Sequence, residues 1–154
     1  MTAPSAPLDR RAARVLLVDG EGRVLLFRGH DPDRSDLGSW WFTVGGGVDE
    51  GESIRDAALR ELFEETGLTL GPEVLEGPVH RELAEFSLGG IDYRQDNEFY
   101  VARIGSHDVV TAGFTDLELQ FVLEHRWWTT AELRATADTV YPVELAELLE
   151  RLGF

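Results

Sequence analysis

Three glutamates stand close together in "RELFEETGL", the stretch from Arg60 to Leu68: Glu61, Glu64 and Glu65. On a helix, residues three and four apart are neighbours, so Glu61 faces both of the others, and each like-charge pair costs roughly 0.2–0.5 kcal/mol. Gly67 is a stop signal, which puts these acids near the helix's negative end, where the dipole disfavours them. A sequence that accepts this penalty calls for a positive partner. Carboxylates on one helical face are hard oxygen ligands suited to Mg²⁺, with Mn²⁺ as the substitute, and such an ion takes substrate phosphates in its remaining positions. Arg60 can hold a neighbouring glutamate through a bidentate pair, and Glu52 is placed to act as a water-bridged or outer ligand. The glycines Gly45, Gly46 and Gly47 remove side chains where ions and a pyrophosphate would approach the backbone.

These residues need elements to position them. Ser53 is a candidate N-cap, with Asp56 where a capping box would put Glu or Gln, and the spacing predicts a helix from Ile54 to Thr66. Counted at about 100° per residue from Glu61, Ala58, Leu62 and Leu59 fall near 60°, 100° and 160°, while Glu64 and Glu65 fall near −60° and 40°. One side is for a core and the adjacent side is acidic. Upstream, Val15–Val18 and Val24–Phe27 flank "DGEG" as a hairpin. A loop is expected over Gly29–Ser39, followed by a short strand at "WWFTV", with the triple glycine breaking regular structure. Further strands are expected over Thr69–Leu75, Val79–Leu88 and Ile91–Ile104, the last two joined at Gly89 and Gly90, and another in "FVLEHRWWT". Thr130 should cap a short helix over Ala131–Ala135. Pro142 should open a final helix carrying Leu145, Leu148, Leu149 and Leu152. This mixture reads as α+β, an α/β/α sandwich.

With 154 residues, the chain suits one domain, expected over 9–154, after a flexible arm at 1–8. Acids outnumber Lys plus Arg by 29 to 14, giving a formal charge of −15. Long nucleic acid and anionic membrane both require basic surfaces and are disfavoured as partners; a small anionic substrate fits if a cation neutralises it. There is no cysteine, which excludes thiolate chemistry. The start lacks the pattern of a signal peptide and no run is long enough for a membrane span, so a soluble cytoplasmic protein is expected.

An isolated trio of glutamates is usually only a solvated face, but the wider spacing here is specific. Gly46, five residues, Glu52, seven residues, Arg60-Glu61-Leu62, one residue, Glu64-Glu65, one residue and Gly67-Leu68 match every defined position of the Nudix box. The chain thus resembles the Nudix hydrolase family. That resemblance implies a Nudix fold, a mixed β-sheet between helices, and a metal-dependent hydrolase of nucleoside diphosphates linked to another moiety. The substrate would be a small nucleotide of the nucleoside triphosphate, ADP-ribose or nucleotide-sugar class; relatives often form homodimers. The resemblance also implies that the carbonyl just before the box glycine, that of Gly45, joins Glu61, Glu64 and Glu65 as a metal ligand. Glu61 is the box residue best placed to take the proton from water, with Arg60 beside it. In some relatives the base is a glutamate on a late loop; of Glu118, Glu124 and Glu98, Glu118 in the loop-like "TDLELQ" is preferred. Where many relatives carry proline ahead of the glycines, this chain has Val44, a change that leaves each expected ligand in place.

Outside the box, Arg28 and Arg94 on expected strands are candidates for phosphate or ribose contact, against surface ion pairing as the plainer reading. Trp41 is a candidate for stacking on a base, against core packing. His30, His80, His107 and His125 show no ligand spacing. The competing function is a nucleotide-binding sensor or regulator on the same fold that does not turn its ligand over; a full set of box glutamates is more than such a sensor needs.

Overall fold

The computed structural model describes residues 6–154. Most of the arm expected at 1–8 lies outside the described residues, and Leu8 is already paired with Tyr93 in the sheet. Seven strands form one mixed sheet: β1 (Leu8–Val18), β2 (Val24–His30), β3 (Ser39–Gly47), β4 (Leu75–Leu88), β5 (Ile91–Arg103), β6 (Val122–Trp128) and β7 (Val140–Tyr141). Four α-helices accompany them: α1 (Ile54–Thr66), α2 (Asp116–Phe121), α3 (Thr130–Ala135) and α4 (Leu145–Arg151). No helix is long and apolar enough to cross a membrane among the described residues.

The apolar runs of β1 and β2 follow from burial on both faces, the condition that favours continuous rather than alternating hydrophobicity. On one face Ala13, Val15, Leu17, Leu25 and Phe27 meet Ala57, Ala58 and Leu62 of α1. On the other, Leu16, Val18, Val24 and Leu26 meet Trp128 and Leu145, Leu148 and Leu149 of α4. This is the expected α/β/α arrangement, and α1 has the expected bounds.

The hairpin at "DGEG" exists, but β1 and β2 share only the pair Val18 with Val24 before they diverge. Between them runs β3, which divides its partners: Ser39–Thr43 pairs with β2, and Val44–Gly47 pairs antiparallel with β1. The triple glycine therefore continues a strand instead of breaking one. Lacking side chains, it lets β1 lie closer than any Cβ would permit: at Gly45, with φ of 139°, a Cβ would fall 2.1 Å from the Ala13 carbonyl oxygen.

Other expectations are corrected. Thr69–Leu75 is not a strand: Pro72 opens a 3-10 turn over Pro72–Val74, and extended structure starts at Leu75. The stretch around Glu118 is helical, with Thr115 and Glu118 forming a reciprocal capping box. Thr129, not Thr130, caps α3, because its hydroxyl accepts from the Glu132 amide. β7, too short to show a period, pairs parallel with β3 through Trp41 and Phe42.

Candidate active site

Helix α1 begins where the Ser53 hydroxyl accepts from the Asp56 amide, and ends where Gly67 turns left-handed, its amide bonded to the Phe63 carbonyl. Between these caps the helix lies along the glycine end of β3. Glu61 and Glu65, one turn apart, are both buried there, at 9% and 3% exposure. The Gly45 amide donates to Glu65 Oε1 at 2.9 Å. At Gly46 a Cβ would stand 2.5 Å from Glu61 Oε1, so this glycine makes the room that the Glu61 carboxylate fills.

A third carboxylate arrives from α2. Oxygens of Glu61, Glu65 and Glu118 lie within 4.8 Å of one another. Burial raises the pKa of Glu61, with Glu64 and Glu118 adding to the effect against the opposing pull of Arg60. Burial, then the Glu61 charge, raises that of Glu65 well above the usual carboxylate range. Three facing acids, two of them removed from water, make a site that a hard divalent cation would relieve, and oxygen donors suit Mg²⁺ or Mn²⁺.

Arg60 organises the acids around this trio. It makes a bidentate pair with Glu52, Nε to Oε2 at 2.9 Å and Nη2 to Oε1 at 3.0 Å. The same guanidinium donates to Glu61 Oε1 at 3.0 Å, Glu64 Oε2 at 3.2 Å and the Gly47 carbonyl at 2.9 Å. Its hydrogen bonds lower the Glu52 pKa, and those to Glu52 are the main reason its own is raised.

The geometry separates residues that the sequence put together. Glu64, half-exposed, turns to Arg60, and its place beside Glu61 and Glu65 is taken by Glu118. The helical period accounts for this, since Glu65 is turned about 40° from Glu61 toward the core side while Glu64 is turned about 60° the other way, toward Arg60. Of the other late acids, Glu98 accepts from the Tyr100 hydroxyl and Glu124 is paired with Arg28 at 2.8 Å. The Gly45 carbonyl, expected to face a metal, accepts from Arg14 Nη1 at 3.1 Å; what Gly45 offers the trio is its amide.

The expected substrate contacts each have a protein partner. Arg28 is engaged by Glu124 and by the Ser39 hydroxyl at 3.1 Å. Trp41 is 3% exposed, its ring edge-on to Trp128 and its Nε1 donating to Asp138, so the packing reading describes it and no face is left for a base. Arg94 is exposed and 3.8 Å from Asp9. One participant escaped the sequence reading. Arg14 donates to the Thr43 and Gly45 carbonyls, with its pKa lowered by burial and held up chiefly by Glu65. An arginine heading the apolar run "VLLV" of a central strand was the available signal.

The sequence pattern of the NUDIX domain matches residues 8–151. Among curated proteins, the chain is similar to an RNA pyrophosphohydrolase of Dinoroseobacter shibae, 44% identical over 61 residues, covering 40% of this chain and 36% of that protein. It is similar also to one of Erythrobacter litoralis, 36% identical over 107 residues, covering 64% of this chain and 63% of that protein. The chain thus spans between about a third and just under two thirds of these relatives' lengths. Among solved structures, the MutT protein from Methanosarcina mazei Go1 superposes with a TM-score of 0.69 at 20% identity, over 96% of this chain and 95% of that one.

Proposed function

This chain belongs to the NUDIX domain family, and from that premise we propose that it is a Mg²⁺-dependent hydrolase cleaving the pyrophosphate linkage of a nucleoside diphosphate joined to another moiety. The observation that carries this reading is the convergence of Glu61, Glu65 and Glu118 within 4.8 Å, beside a strand whose Gly45 amide and side-chain-free Gly46 seat the carboxylates of Glu65 and Glu61. Glu61 and Glu65 would hold the ion. Glu64 and Glu52, gathered by Arg60, would act from outside through Arg60 and through water.

A divalent ion bound there would neutralise the diphosphate and favour ionisation of water. The chain's own residues do the rest. Hydrolysis forms one P–O bond to water oxygen, breaks the bridging P–O bond and releases a proton that a carboxylate must take. We assign that proton to Glu118. Its Oε1 is occupied by Thr115 in the capping box, whereas Oε2 makes no hydrogen bond among the described residues. Arg60 fixes the Glu61 carboxylate, and the Gly45 amide fixes that of Glu65, so neither buried ligand must reorganise during the reaction.

The relatives named as RNA pyrophosphohydrolases suggest a substrate with a 5′-polyphosphate. A charge of −15 favours a mononucleotide or short oligomer over long RNA. The deciding experiment is a panel of nucleoside triphosphates, ADP-ribose, sugar nucleotides, dinucleoside polyphosphates and a short 5′-triphosphorylated RNA, each with and without Mg²⁺. Release of phosphate, pyrophosphate or a nucleoside monophosphate that depends on Mg²⁺ is expected. No release from any of them overturns the hydrolase reading, and tight binding without turnover would make the protein a nucleotide sensor. Within an active enzyme, Glu118→Gln should lower kcat with metal affinity kept; unchanged kcat would return the proton to Glu61.

A further inference from the structure

A second cluster of ligating side chains lies on the face of the sheet that carries α4. His80 and Glu82 alternate on β4, so the pleat points both the same way, and their partners on β5 are Phe99 and Asn97. Glu144 stands at the start of α4, whose Leu145, Leu148 and Leu149 are anchored in the core with Phe99. Sheet and helix packing thus bring together three donors that are remote in sequence. Spacing alone did not reveal this, because Glu144 is distant from His80 along the chain.

The His80 ring packs 5.4 Å from Phe99, and its Nε2 is buried without a hydrogen-bond partner. That atom is 3.2 Å from Glu144 Oε1 and 3.6 Å from Glu82 Oε2, close to both but aligned for a hydrogen bond with neither. An ordinary charged pair would use the imidazole N–H; here a ring nitrogen and two carboxylate oxygens face one another across a gap. Ligands about 2.0–2.2 Å from one ion, at angles between octahedral and tetrahedral, stand about 2.8–3.6 Å apart. The two separations from His80 Nε2, 3.2 and 3.6 Å, fall within that range, and the carboxylate oxygens of Glu82 and Glu144 lie within 4.8 Å of each other.

We propose that His80, Glu82 and Glu144 form a second divalent-metal site, separate from the Glu61–Glu65–Glu118 cluster, that ties the start of α4 to edge strand β4. One imidazole and two carboxylates suit Zn²⁺ more than Mg²⁺, since Mg²⁺ takes oxygen and Zn²⁺ readily takes nitrogen. Three protein ligands leave one position for water. The Glu82 and Glu144 side chains are 28% and 41% exposed, so an ion can enter the cluster from their side. Bound metal would oppose separation of α4 from the sheet.

The test uses the full chain carrying Glu61→Gln and Glu65→Gln, so that the first cluster no longer contributes. Equilibrated with Zn²⁺ and freed of excess metal, this protein should retain one equivalent. Adding His80→Ala or, independently, Glu144→Gln should weaken retention at least about tenfold, the minimum seen for lesser outer partners of bound metals. Co²⁺ should give visible absorption bands in the parent protein that His80→Ala removes, a comparison that needs no substitution in the first cluster. Absence of Zn²⁺ from the first variant, or Co²⁺ bands unchanged by His80→Ala, would overturn the proposal. Neither readout involves nucleotide hydrolysis, so this site and the hydrolase reading fail independently.

Discussion

At the scale of single residues, Glu65 joins stability to the proposed function. Its folded-state pKa is raised, so its stabilising contribution is present at low pH, below the ordinary carboxylate value, and is lost as pH rises through the shifted one. Glu61 acts in the same direction. Metal-free protein should therefore lose stability from these groups as pH rises above the ordinary carboxylate range. In Glu65→Gln that loss should be smaller, as thermal melts at several pH values in chelator will show. The same variant should lose on the order of a hundredfold or more in kcat, because a direct ligand, the role proposed for Glu65, exceeds what outer-sphere partners contribute. Arg60 has a different balance. Lysine in its place cannot span Glu52 bidentately while also reaching Glu61, Glu64 and the Gly47 carbonyl, so Arg60→Lys should destabilise by about 1–3 kcal/mol in urea unfolding.

Among the elements, β3 explains why Gly45 and Gly46 stand at the site, each for its own reason. A Cβ at Gly45 meets rigid backbone of β1, whereas one at Gly46 meets the movable Glu61 side chain. Gly45→Ala should therefore cost at least about 1–3 kcal/mol of stability, the range of a strained backbone residue. Gly46→Ala should change stability by less than that yet lower kcat, because Glu61 must leave its place; paired unfolding and kinetic measurements separate the two. Helix α1 was legible in the sequence, since its cap, its stop glycine and its period all agree. The triple glycine was misread, because local preference says turn, whereas close pairing with β1 is a demand made by a strand distant in sequence. Glu118 was named from the sequence but placed on a loop; the "TDLE" capping box that makes it helical was there to be read. Its meeting with Glu61 and Glu65 depends on tertiary packing, which no local period encodes, and the same is true of Arg14 and of His80 with Glu144.

For the molecule as a whole, 29 acids against 14 basic residues mean self-repulsion in the folded state. Raising NaCl from low to moderate concentration should raise Tm, with most of the gain over the range in which the Debye length falls to about 10 Å. Mg²⁺ at matched ionic strength should add a further increase that Glu61→Gln with Glu65→Gln abolishes; equal shifts in both proteins would mean that the ion only screens. The sheet's connectivity has another consequence, which concerns assembly. β1 is central, yet its parallel partner is β5, joined from Leu8 with Tyr93 through Val18 with Arg103, more than eighty residues away along the chain. At a synthesis rate of about 5–20 residues per second, the first strand waits several seconds for the partner that completes its burial. During that interval "ARVLLV" is an apolar, β-prone segment without its long ladder, and closing so large a loop belongs to slow, non-local folding. The strand that anchors the finished sheet is thus the one most open to mispairing with a neighbouring nascent chain, before any acid of the site exists to bind a cation.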